Sequence, residues 1–152
     1  RRGRPPRAQR GIEMDMEVFL KKYYFMYKYH KQKNNLDCNC ICLEIYKCDC
    51  FIFYNDDYVK VYQGSKLLFQ GDYEKFMLAC FDNVFGWFDF KIAPVQRIPY
   101  GEFVQKKFGS SKYYTRGNYD RSSKDFELQD YYDINRYVYV KSGTLLYYDF
   151  VF

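Results

Sequence analysis

Between positions 16 and 30 large side chains recur at helical spacing. Met16, Phe19, Leu20, Tyr23, Met26, Tyr27 and His30 fall on one stripe. Glu13, Asp15 and Glu17 stand at its start and Lys28, Lys31 and Lys33 at its end, an order that complements a helix dipole. The spacing predicts a long N-terminal helix over 12–33. After "KNNLD" the period shortens to that of strands, in "CNCICLEIYKCDCFIFY", "YVKVY" and "KLLFQ". Asn55, Asp56 and Asp57 break the first from the second, and "QGS" at 63–65 turns the second into the third, so an antiparallel meander of short strands is expected.

Asp72 then stands before "YEKFMLACF", where Phe76, Met77, Cys80 and Phe81 share a face, which predicts a second, short helix with Asp72 as its N-cap. Trp87, Phe88, Phe90 and Ile92 suggest another strand, closed off by Pro94 and Pro99. Residues 109–125, "GSSKYYTRGNYDRSSKD", contain turn formers and almost no aliphatic side chain, and are expected to be a surface loop. "RYVYVKSGTLLYYDFVF" reads as a C-terminal β-hairpin turning at Ser142 and Gly143. The class these elements imply is α+β, in a single globular domain over 12–152 behind a flexible basic arm at 1–11.

Charge sharpens that division. The chain carries 24 Lys and Arg against 19 Asp and Glu, a formal net charge of +5. Arg1, Arg2, Arg4, Arg7 and Arg10 account for all of the excess, since removing these five from 24 leaves 19 against 19. The body is thus electrically balanced, and attraction to a polyanion falls to the arm. Pro5 and Pro6 withhold backbone donors, and the arginines repel one another, so the arm should be extended. A chain beginning at Arg1 instead of Met is expected to have lost a preceding segment, and a processing remnant is the other reading of the arm. Aromatic residues make up 23% of the chain, with 19 Tyr and 15 Phe, enough to supply interfaces or base-stacking surfaces as well as a core. No apolar run reaches the roughly 18 residues needed to cross a bilayer, so no membrane partner is expected.

Arg2, Gly3, Arg4 and Pro5 spell a motif that resembles the core of the AT-hook, a short DNA-binding element, without its usual preceding proline and following lysine. The resemblance implies that Arg2 and Arg4 enter a narrow A·T minor groove, that Gly3 lets the backbone lie on the groove floor, and that Pro5 keeps the exit extended. Arg1, Arg7 and Arg10 would then neutralise phosphates. In the body, Lys112, Arg116 and Arg121 alternate with Tyr113 and Tyr114, a mixture that can meet phosphates and stack on unpaired bases.

Five of the six cysteines, Cys38, Cys40, Cys42, Cys48 and Cys50, have even numbers and would project from one face of an extended chain, with Ile41, Leu43, Ile45, Phe51 and Phe53 on the other. If the C-x-C pairs met in a hairpin, Cys38, Cys40, Cys48 and Cys50 could make a four-thiolate site for zinc or copper(I). Disulfides and plain reduced core thiols are the other readings, and Cys80 reads as core in each of them.

No hydrolase, P-loop, dinucleotide or metalloprotease motif occurs. His30, the sole histidine, sits on an apolar stripe, and Asp89 and Lys91 in "DFK" lack a second carboxylate for a metal-dependent nuclease. The expectation is a non-enzymatic, nucleic-acid-associated protein without a cofactor, nuclear or cytoplasmic before secreted. Its arm would lie on nucleic acid, foremost DNA, and its tyrosine-rich body on a protein partner or a second copy. The alternative is a small viral accessory or secreted effector-type interaction protein, stabilised by cysteine bridges, in which the arm is incidental.

Overall fold

The computed structural model describes residues 15–32, 38–46 and 48–151. It is mostly β, with two short helices and eleven strands in two antiparallel sheets, which replaces the expected α+β class with its long first helix. The contacts group the chain into two compact units, with the boundary after Met77, inside the second helix. No helix among the described residues is long and apolar enough to cross a membrane.

The first unit opens with α1 (Met16–Tyr23), whose N-cap Asp15 accepts from the Glu17 N–H at 2.9 Å. The helix expected over 12–33 ends here. Tyr24 is buried edge-on against Phe19 at 5.6 Å, and its backbone leaves the helical region. Helix propensity is weak in the tyrosine-rich stretch that follows, whose residues fit a pleated strand as well as a helical stripe. Tyr29–Gln32 forms β1 and pairs with β2 (Asn39–Leu43), because ladder bonds and burial against a neighbour outweigh an isolated helical turn.

The meander continues through β3 (Cys50–Tyr54), β4 (Val59–Gln63) and β5 (Lys66–Gly71), in the spatial order β1-β2-β3-β4-β5. Asn55 shapes the β3–β4 turn, its side-chain oxygen accepting from the N–H of Asp57 and Tyr58 at 2.7 and 3.0 Å. Gly64, at φ +60°, makes the two-residue β4–β5 loop. α2 (Tyr73–Phe81) follows, with the Asp72 carboxylate accepting from the Lys75 N–H at 2.8 Å. One face of this sheet buries Ile41, Leu43, Ile52, Val59 and Val61 completely. The helices lie on that face: Phe76 is 6.1 Å from Phe19 of α1 and 5.8 Å from Phe69 of β5, and Tyr73 is 6.3 Å from Tyr54 of β3.

The second unit holds β6 (Lys91–Pro94), a 3-10 turn at Val95–Arg97, β7 (Phe103–Gln105), β8 (Tyr114–Asp120), β9 (Asp125–Asp130), β10 (Tyr137–Lys141) and β11 (Leu145–Tyr148). The strand expected from Trp87 begins only at Lys91, and Trp87–Phe90 instead form a bend in which the Phe88 ring stands edge-on to Trp87 and stacks on Phe90. The middle of the stretch read as loop over 109–125 is β8, where Tyr114, Arg116 and Tyr119 oppose Asp130, Leu128 and Phe126 of β9. Aliphatic side chains are not needed there, because Tyr114 and β9 supply the apolar surface.

The C-terminal hairpin is also overturned. A tight turn does occur, with Gly143 at φ +91° and the Thr144 N–H donating to the Lys141 carbonyl at 3.1 Å. The strands it joins do not pair, however, for the order is β10-β9-β8-β7-β11-β6. From Lys141 to Leu145 the chain reaches at most about 14 Å. Four strand spacings across a flat sheet would need about 19 Å. The sheet must therefore curl until its two ends approach. Val104, Tyr114, Phe126, Leu128, Val140 and Leu146 fill the inside, joined by Val95 and Ile98. Leu128→Ala, at a fully buried position in that curl, should cost about 2–5 kcal/mol, read as a lower urea midpoint.

Candidate functional site

Pairing register fixes which side chains share the face of the first sheet that the helices leave open. His30, Cys42, Phe51, Tyr62 and Leu67 form one row across five strands. Gln32, Cys40, Phe53, Lys60 and Gln70 form the next. The aromatic members are half-buried, and the two cysteines lie buried between them and β1. A shallow groove of about 460 Å³ runs over Phe51, Phe53, Tyr58, Lys60 and Tyr62, with Cys38 and Gly64 at its rim. The Phe53 and Tyr62 rings meet edge to face at 5.8 Å, and the Lys60 ammonium stands 5.3 Å from the centre of the Tyr58 ring. At the β1 edge His30 Nδ1 lies 3.8 Å from a Glu44 carboxylate oxygen, both side chains being about half exposed.

The same register separates the cysteines. Even-numbered residues of β2 sit opposite odd-numbered residues of β3, so Cys40 and Cys42 face Phe53 and Phe51, whereas Cys50 faces Leu43 on the helix side. The expectation of a single thiol face fails for that reason, and with it the geometry that would bring Cys40 and Cys50 to one ion. Among the described residues no group of three or more His, Cys, Asp or Glu side chains could hold a metal. Cys48 is exposed in the β2–β3 connection, where its carbonyl accepts from Gln63 Nε2 at 3.3 Å. Burial pushes the Cys50 thiol up to about 12, with Cys48 and Asp49 adding to it, and the Cys40 thiol up to about 11. It also raises Cys42, and it raises the fully buried Cys80 well above the ordinary range.

The second unit offers a different surface. Phe103, Thr115, Gln129 and Tyr137 make an outward row on the curled sheet. Beside it Phe103, Tyr113, Tyr131 and Tyr132 line a groove of about 250 Å³. Tyr131 stands edge-on to Phe103 at 5.2 Å and to Tyr132 at 5.0 Å. Its N–H donates to the Tyr113 carbonyl at 2.9 Å, and the Tyr132 N–H donates to the buried Asp130 carboxylate at 2.8 Å, so the backbone beneath the rings is fixed. Tyr132 is nevertheless 72% exposed.

Of the residues expected to bind nucleic acid, Arg1, Arg2, Gly3, Arg4, Pro5, Arg7 and Arg10 lie outside the described residues. Lys112 and Arg121 are exposed, and Tyr113 lines the second groove. Tyr114 and Arg116 point into the curl. Tyr114 is core, and the Arg116 guanidinium lies 4.6 Å from the Phe126 ring centre while donating to the Gly117 carbonyl at 2.9 Å and the Val95 carbonyl at 3.4 Å. Lys91 pairs with Asp149 at 3.5 Å and Asp82 at 3.9 Å, which gives the "DFK" lysine a structural occupation. Sequence reasoning passed over Phe51, Phe53, Tyr58, Lys60 and Tyr62. Their alternation with Cys50, Ile52, Val59 and Val61 was the available signal. No protein-family model, no curated protein and no solved structure matches the chain.

The thiolate is the reactive form of cysteine, so alkylation should follow burial. At mildly alkaline pH, mass spectrometry should find Cys48 and then Cys38 labelled well before the other four. Cys50 should hold about a thousandfold less thiolate than a thiol at the ordinary value of 9.0.

Proposed function

We propose that this chain is a non-enzymatic binding protein that fastens to nucleic acid through its arginine arm and presents aromatic surfaces from a rigid β framework. The observation that carries the reading is the Phe103, Tyr113, Tyr131 and Tyr132 groove, in which large rings stay open to solvent although the backbone under them is held. Clustered rings on a fixed backbone supply contact area at little entropic cost and are the residue types on which binding energy concentrates. This groove supports a protein-interaction role for the second unit, with Lys112 beside it.

Nucleic-acid attachment rests on the charge distribution. The five arm arginines carry the whole excess over a balanced body, and phosphate neutralisation needs no folded scaffold. Arg2 and Arg4 remain the candidates for minor-groove insertion. Tyr114 and Arg116 are withdrawn as contacts, since their side chains are committed inside the sheet.

If all five arginines meet phosphates, the logarithm of duplex affinity should fall with the logarithm of salt at a slope of about −4.5. Fluorescence anisotropy at several salt concentrations measures that slope, and deletion of residues 1–10 should abolish most of it. An unchanged slope after deletion would refute the arm as the electrostatic anchor.

A further inference from the structure

We propose that the open face of the first unit's sheet is a stacking platform for unpaired bases of a single-stranded nucleic acid, which deepens the nucleic-acid reading above and rests on it. The register places Phe51 beside Tyr62 and Phe53 beside Lys60 on adjacent strands, so the rings form a short two-by-two field with a cation in it. Tyr58 extends the field at the β3–β4 end, where the Lys60 ammonium stands over its ring. Bases stack on such rings whatever their sequence, and a lysine in the same row meets the strand's phosphates.

Charge favours this occupant over a basic peptide. The two rows crossing the sheet contain Lys60, His30, Gln32 and Gln70 as their polar members, and carboxylates adjoin the first row at its β1–β2 end, Glu44 beside His30 and Asp49 beside Cys42. A basic peptide lying on the rings would meet the like charge of Lys60. Gln32 and Gln70 flank the rings at either side of the sheet, and their amides can both donate to and accept from base edges, which a purely apolar partner would leave unsatisfied. The helices of this unit occupy the opposite face, so neither of them covers the platform. The rings are held by cross-strand neighbours on a five-stranded sheet, and stacking on them costs little ordering.

The test uses the full chain at raised salt, where the electrostatic contribution of the arm is screened. Fluorescein-labelled oligothymidylate is compared with an abasic strand of equal phosphate number and with duplex DNA. The platform requires the oligothymidylate to bind more tightly than the abasic strand by about tenfold or more. Phe53→Leu and, at the rim, Tyr58→Leu keep apolar volume and remove a ring, and circular dichroism verifies that each variant keeps its fold. Each should weaken oligothymidylate binding by about 5- to 150-fold and leave duplex binding unchanged. Equal affinity for the based and abasic strands overturns the platform, as does a pair of folded variants that bind like the parent, the result expected if the groove takes a peptide. In either case duplex binding that persists leaves the arm reading intact. Failure to bind any of the three nucleic acids at low salt overturns both.

Discussion

The pairing of β2 with β3 is the constraint on which the first unit's surface chemistry depends. Even-numbered residues on one strand face odd-numbered residues on the other, so Phe51 and Phe53 share a side with Cys42 and Cys40, while Cys50 and Ile52 turn toward the helices. Had the connection between these strands been one residue shorter or longer, the parity would reverse. The thiols would then meet on one face and the phenylalanines would be core. The open aromatic face and the dispersal of the cysteines are thus two consequences of one register.

A comparable constraint shapes the second unit. The connection between β10 and β11 is too short to reach across a flat sheet, so the strands bend into a curl and the inside closes on Leu128, Val140 and Leu146. Curling also decides which polar side chains are available. Arg116 is drawn over Phe126 and spends its donors on backbone carbonyls, whereas Tyr131 and Tyr132, just past the end of β9, are left outside. A loop rich in Arg and Tyr and a strand rich in Arg and Tyr have the same composition. Only the strand has an inside.

The two units present aromatic rings in different settings. On the first, the rings lie within a sheet face, in register with a lysine and two amide side chains. On the second, they cluster past a strand end, on backbone pinned by Asp130. A flat field suits planar ligands, and a cleft between tyrosines suits side chains. The proposed base-stacking role of the first and protein-docking role of the second rest on that difference in geometry.

The sequence by itself determined the charge partition between arm and body, the alternating strands β3, β4 and β5, and the span of α2. These rest on interactions between residues close in the chain: side-chain alternation, capping carboxylates and turn-forming Asn and Gly. It did not determine where α1 stops, because His30 fits the helical stripe until β2 is there to pair with it. Nor did it determine the role of the Ser142–Gly143 turn, which looks like a hairpin loop whether or not its flanking strands bond to each other. The faces on which Cys50, Phe53, Tyr114 and Arg116 project were decided only by the tertiary structure. A side chain's exposure depends on the parity of pairing and the curl of the sheet, and both are set by partners distant in the chain.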